Sequence, residues 1–100
     1  MVELIVQLPA EADIIVAHAW YSEQHEPLGQ QFASALNHTI NRVQTNPDQF
    51  PSVGGGVQRA LVARFPYAVY FVKRADRVYV VAVLHLHRDP SIWQDRARHS

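Results

Sequence analysis

The stretch Tyr67–His87, YAVYFVKRADRVYVVAVLHLH, decides the fold. Two runs rich in Val, Tyr and Phe flank the short polar segment Arg74–Arg77, which is the composition of two strands joined by a hairpin turn. The second run, Arg77–His87, is apolar on both alternating faces from Val78 to Leu84, the pattern of a central strand covered above and below. Upstream, Val57–Phe65 reads as a further strand, so an antiparallel meander occupies most of the second half of the chain. Phe50–Gly56 is expected to be the loop that leads into it.

Working outward to the N-terminus, Val2, Leu4, Val6 and Leu8 alternate with Glu3, Ile5 and Gln7, the period of a strand with one partly polar face. It reads as an edge strand. Pro9 suits the first turn of a helix, where its missing N–H has no intrahelical partner, and Glu11 and Asp13 place negative charge near the positive helix end. A helix is expected from about Ala10 to about His25, with Pro27 ending it. Ile14, Ile15, Val16, Ala17, Ala19, Trp20 and Tyr21 leave it without an ordinary solvent face, which predicts protein contact on more than one side. Leu28, Phe32, Ala35, Leu36, Ile40 and Val43 then fall at helical spacing, giving a second helix to about Thr45. Asn46–Pro47 stops it, because a residue before proline avoids the helical region. Together these readings predict an α+β domain: an N-terminal strand, a helical hairpin packed on a mostly antiparallel sheet with a three-stranded meander, and a short C-terminal helix. The hairpin covers one sheet face only. The other requires either the C-terminal segment opened by Asp89–Pro90 or a separate chain.

Composition bounds the rest. One hundred residues, 48% hydrophobic and 18% charged, fit one domain over 1–100, with no internal repeat or linker to divide it. The absence of cysteine excludes disulfides, thiol nucleophiles and thiolate metal sites. No apolar run reaches the ~18 residues of a membrane span, and Met1–Pro9 lacks the marks of a signal peptide, so a cytoplasmic protein without membrane contact is expected. The zero net charge hides a division: residues 1–50 carry Glu3, Glu11, Asp13, Glu23, Glu26 and Asp48 against Arg42, whereas Asp76, Asp89 and Asp95 are outnumbered by Lys and Arg in residues 51–100. The basic half can attract phosphate or an acidic protein segment.

Among candidate chemical groups, Gly54–Gly56 lacks the Lys–Ser/Thr of a phosphate loop and precedes a strand, so it reads as a permissive turn. His85 and His87, two apart, can share a face and bind a metal or exchange protons, but Asp89 and His99 are the only nearby further ligands and a zinc site needs three or four. No metal or cofactor is therefore expected. Arg59, Arg64, Arg88, Arg96 and Arg98 can gather at the end of the meander and hold phosphate or carboxylate, or form a solvated rim. Tyr67, Tyr70, Tyr79, Trp20 and Trp93 suit either the core or an interface. None of Ser22, Ser34, Ser52, Ser91 and Ser100 sits in a nucleophile elbow.

The ordered set Leu28–Gly29 with Phe32, Asn46–Pro47, Phe50–Pro51, Arg59, Arg64–Phe65–Pro66–Tyr67 with Tyr70, and Ala82–Val83 followed by His85, Arg88, Pro90 and Trp93 resembles the RelE/ParE family of bacterial toxins over about residues 2–97. The resemblance implies a type II toxin–antitoxin module, in which a growth-inhibiting toxin is held by a cognate antitoxin protein. It also implies one of two targets, the ribosome with its mRNA or DNA gyrase. The ribonuclease branch carries a Lys-x-Lys pair on the first meander strand, an arginine opening the next strand, and an arginine and a tyrosine near the C-terminus. The matching positions here hold Gln58 and Ala60, Tyr67, His87 or Arg88, and Trp93. The missing lysines favour a gyrase poison without catalysis of its own. The alternative is an mRNA interferase using His85 and His87 as acid and base with Arg64, Arg88 or Arg59 on the phosphate. A third reading is a degenerate member that only binds its antitoxin. Arg59, Arg64, Tyr67, Arg88 and Trp93 are the expected contacts to antitoxin or target, in a toxin dimer or a toxin–antitoxin hetero-oligomer.

Overall fold

The computed structural model describes residues 2–99; Met1 and Ser100, the ends of the expected domain, lie outside the described residues. In chain order come β1 (Glu3–Val6), α1 (Leu8–Gln24), α2 (Glu26–Thr45), a 3-10 turn (Pro47–Gln49), β2 (Ser52–Gly54), β3 (Val57–Leu61), β4 (Tyr67–Arg74), β5 (Arg77–His85) and α3 (Ser91–Arg98). They build one sheet of order β1-β5-β4-β3-β2. Every pairing is antiparallel except that of β1, which lies parallel to β5 at the edge.

The expected strand, hairpin, meander and terminal helix are all present, with differences that have local causes. The break between the helices falls at His25, whose extended backbone still donates its N–H to the Tyr21 carbonyl. Pro27 therefore opens α2 instead of ending α1, in the first turn where a proline costs no hydrogen bond. The expected loop at 50–56 contains β2, because Gly54, Gly55 and Gly56 all take positive φ and turn the chain back so that Ser52 pairs with Gln58. β3 stops at Leu61 rather than Phe65, since Arg64 takes φ 72° in a turn closed by the Val62 N–H on the Tyr67 carbonyl. β5 ends at His85, and His87 lies in the turn that follows.

Two cores explain why β5 is apolar throughout. On one face Phe32, Leu36 and Val43 of α2 pack with Ala10 and Ala17 of α1 over Val69, Phe71 and Val80. On the other, Trp93 of α3 stacks on Tyr70 at 5.2 Å and 11° above Val57, Val72 and Leu84. The C-terminal helix thus supplies the second cover that the sequence required. A bulge between Tyr70 and Phe71 leaves Val81 as an extra residue opposite them, so that the consecutive Val81 and Ala82 both enter the α3 core.

β1 is shorter than β5. Gln7 donates the last N–H from this edge, to the Val80 carbonyl, and the chain then turns into α1. Beyond that point side chains complete the edge: Asp13 of α1 accepts the Val83 N–H at 3.0 Å, and Arg96 of α3 donates to the Val81 carbonyl at 3.2 Å. The two side chains also pair with each other, Nη1 to Oδ2 at 2.6 Å and Nη2 to Oδ1 at 3.2 Å, and are only 13% and 24% exposed. Asp13→Ala leaves a guanidinium and a backbone N–H partly buried without their partner and is expected to cost about 3 kcal/mol. Urea unfolding checks this. A second measurement tests helix packing: a Cβ on Gly29 would lie 1.9 Å from Ser22 Oγ and 3.2 Å from Ser22 Cα. Gly29→Ala is expected to destabilise by about 1–2 kcal/mol despite alanine's better helix propensity.

Candidate functional site

The hairpin of β4 and β5 places the first residue of one strand opposite the last of the other, and so brings Tyr67 and His85 together at one end of the sheet. Their rings meet edge to face at 5.4 Å, on the side of the helical hairpin. The turn after β5 folds tightly enough that the His87 N–H donates to His85 Nδ1 at 3.1 Å, which leaves the His85 proton on Nε2. It also sets the two imidazoles 4.9 Å apart. The Arg88 N–H closes the turn on the His85 carbonyl at 3.0 Å.

Helix α1 walls this end. Val16, Ala17, Trp20 and Tyr21, with Pro66, Tyr67 and His85, line an open cavity of about 410 Å³. Its floor is aromatic: Tyr21 stacks on Phe32 at 5.3 Å and meets Phe65 and Tyr67 edge to face at 4.9 and 6.0 Å. Burial raises the pKa of Tyr67; the nearby charge of Arg88 lowers it, and that of Asp13 raises it again. Tyr21 is raised by burial and then by Tyr67. The site therefore offers two imidazoles, a protonated phenol and a guanidinium beside an apolar slot, groups able to hold a phosphate or carboxylate and to pass a proton.

The remaining sequence candidates are distributed elsewhere. Arg59 pairs in register with Tyr70 and so faces α3 together with Trp93, on the opposite side of the sheet from Tyr67 and His85. Its Nε is buried and has no hydrogen-bond partner among the described residues. Arg64 is exposed on a separate groove with Gln31, Ser34, His38 and Phe65. The expected gathering of five arginines does not form: Arg96 is held by Asp13 and Arg98 by Asp95 on its own helix, leaving Arg88 beside the histidines. Among the described residues no cluster of three His, Asp or Glu side chains is placed to hold a metal. Asp89 accepts the Ser91 N–H at the start of α3, which lowers its pKa, and His99 contacts the Asp95 carbonyl. The sequence reading named Trp20 only as a ring for the core or an interface and did not place Tyr21 at the site. The surplus of apolar residues around α1 was the only signal for Tyr21.

No protein-family model matches the chain, and no curated protein matches it in sequence. Among solved structures it is similar to a chain of the chromosomal ParDE TA system from P. aeruginosa, with a TM-score of 0.75 and 18% identity, over 85% of this chain and 96% of that chain. The resemblance read from the sequence is thus met by a shared ParE-like fold.

The tyrosine environment carries a pH signature. Because folding raises the pKa of Tyr67 and Tyr21, the neutral phenols stabilise the fold fully below the unfolded value near ~10, and that contribution is lost as pH rises through the folded values. Stability measured between about pH 8 and pH 11 is expected to fall, and Tyr67→Phe is expected to flatten part of that fall.

Proposed function

We propose that this chain is the toxin of a type II toxin–antitoxin pair and that it inhibits growth by binding and poisoning DNA gyrase. The first step is supported by the ParE-like fold and the second by the state of β3. Gln58 and Ala60 stand where the ribonuclease branch carries its lysines, and both are structural here. The Gln58 amide donates to the carbonyls of Pro47 and Phe50 at 2.8 and 3.1 Å, and Ala60 is fully buried against the hairpin. The chain's one lysine, Lys73, lies at the far end of β4 from Tyr67 and is paired with Asp48. Gyrase poisoning needs an interaction surface and no general base, so these replacements cost it nothing.

The cognate antitoxin, in this reading, covers the part of the sheet that α3 leaves open beside β3. Arg59 is half-buried there, next to the exposed Leu61, and the accessible part of its guanidinium would pair with an acidic or carbonyl-rich segment. Arg64 and Arg88 are exposed contacts for antitoxin or target.

One observation favours a second reading, a ribosome-dependent mRNA interferase. His85, His87, Arg88 and Tyr67 share one end of the sheet, and an acid, a base and a phosphate clamp are what cleavage by a 2′-hydroxyl requires.

A supercoiling assay with purified, antitoxin-free chain, gyrase, ATP and plasmid separates the two. Loss of supercoiling with accumulation of cleaved DNA is expected. Normal gyrase turnover by a preparation that still arrests cells would shift the target to the ribosome. In that case His85→Ala and His87→Ala should each reduce mRNA cleavage by about 10²-fold or more while leaving the fold intact. Growth unaffected by expression of the free chain would remove both active readings.

A further inference from the structure

Helix α1 is apolar on two opposite sides. Ala10 and Ala17 are buried in the core, while Leu8, Ile15 and Val16 are 78%, 69% and 70% exposed. The exposed side is ordered: Leu8, Ala12, Ile15 and Ala19 follow the i, i+4, i+7, i+11 spacing of a helix-pairing seam, flanked by Val16 and Trp20. An exposed apolar stripe of this kind marks an interaction surface.

We infer that the stripe binds a second copy of this chain, α1 against α1, antiparallel about a two-fold axis. The seam is self-complementary in one arrangement. With Ala12 set on Ile15 of the second copy, Leu8 falls on Ala19, and the two-fold repeats both contacts in reverse. Each layer then packs a large aliphatic side chain against an alanine, which lets the helices approach closely without voids. The same register puts Glu11 opposite His18 of the second copy, twice by symmetry. Within one chain these two residues lie about two helical turns apart and do not reach each other. A parallel pair would instead set Leu8 on Leu8 and Ala12 on Ala12, crowding one layer and emptying the next, and would place Glu11 across from Val16 rather than His18. A foreign helix would satisfy the apolar stripe, but nothing about it requires that large and small residues, and acid and imidazole, match under exchange of the two copies. This inference is independent of the toxin reading.

A single pair of α1 helices, each about 25 Å long, buries less than an obligate interface, so the dimer is reversible, with a dissociation constant on the order of 10–100 µM. Sedimentation equilibrium of the full chain from about 5 to 500 µM is expected to show a monomer–dimer equilibrium. Ile15→Glu, at an exposed position, should leave the circular dichroism spectrum unchanged and weaken association at least about tenfold. Glu11→Lys should weaken it as well, and adding His18→Glu to that variant should restore it, because exchanging the charges rebuilds the pair only if the residues face each other across the axis. A chain monomeric over the whole range overturns the inference, as does a dimer indifferent to Ile15→Glu or a double variant no tighter than Glu11→Lys. If the chain stays monomeric and Ile15→Glu weakens capture of a helical antitoxin instead, the stripe belongs to that partner.

Discussion

The fold rests on how the exposed end of β5 is closed. β1 covers only part of that strand before the chain turns into α1, and a central strand with open edge groups at the protein's middle would invite water or another strand. The Asp13 carboxylate and the Arg96 guanidinium take the place of the missing strand residues. Each makes one bond to the β5 backbone and two to the other. One pair thus anchors both helical layers to the same segment of sheet, α1 from above and α3 from below. Net charge lies across it too, since the acid comes from the acidic half of the sequence and the base from the basic half.

The second organising element is the bulge at Tyr70–Phe71. A regular strand would send Ala82 to the hairpin side and His85 to the α3 side. The extra residue Val81 reverses the alternation, so that His85 arrives beside Tyr67 under α1 and Leu84 is brought beneath Trp93. The candidate site is therefore a product of strand register as much as of residue identity. Its histidines would otherwise lie on the face that carries Arg59.

This accounts for what could be read from the sequence. The meander, the hairpin and the terminal helix follow from periodicity in long segments, and the doubly apolar Val78–Leu84 run announced two cores. Pro27 misled because a proline after a polar residue looks the same whether it ends one helix or opens the next. β2 was hidden because its three residues include a glycine and lie beside two more. For the site, adjacency of His85 and His87 was legible from their spacing. The scattering of the arginines was not, since Asp13 and Arg96 meet across more than eighty residues of chain and no local pattern records a contact of that kind.

That separation bears on how the molecule comes into being. β1 must wait for β5, and Asp13 for Arg96 near the far end of the chain. Contacts so distant along the polymer are slow to form, because a long loop must close before either partner is held. Until Arg96 arrives, the edge of β5 beyond β1 stays open, so closure of the sheet edge is a late step of folding.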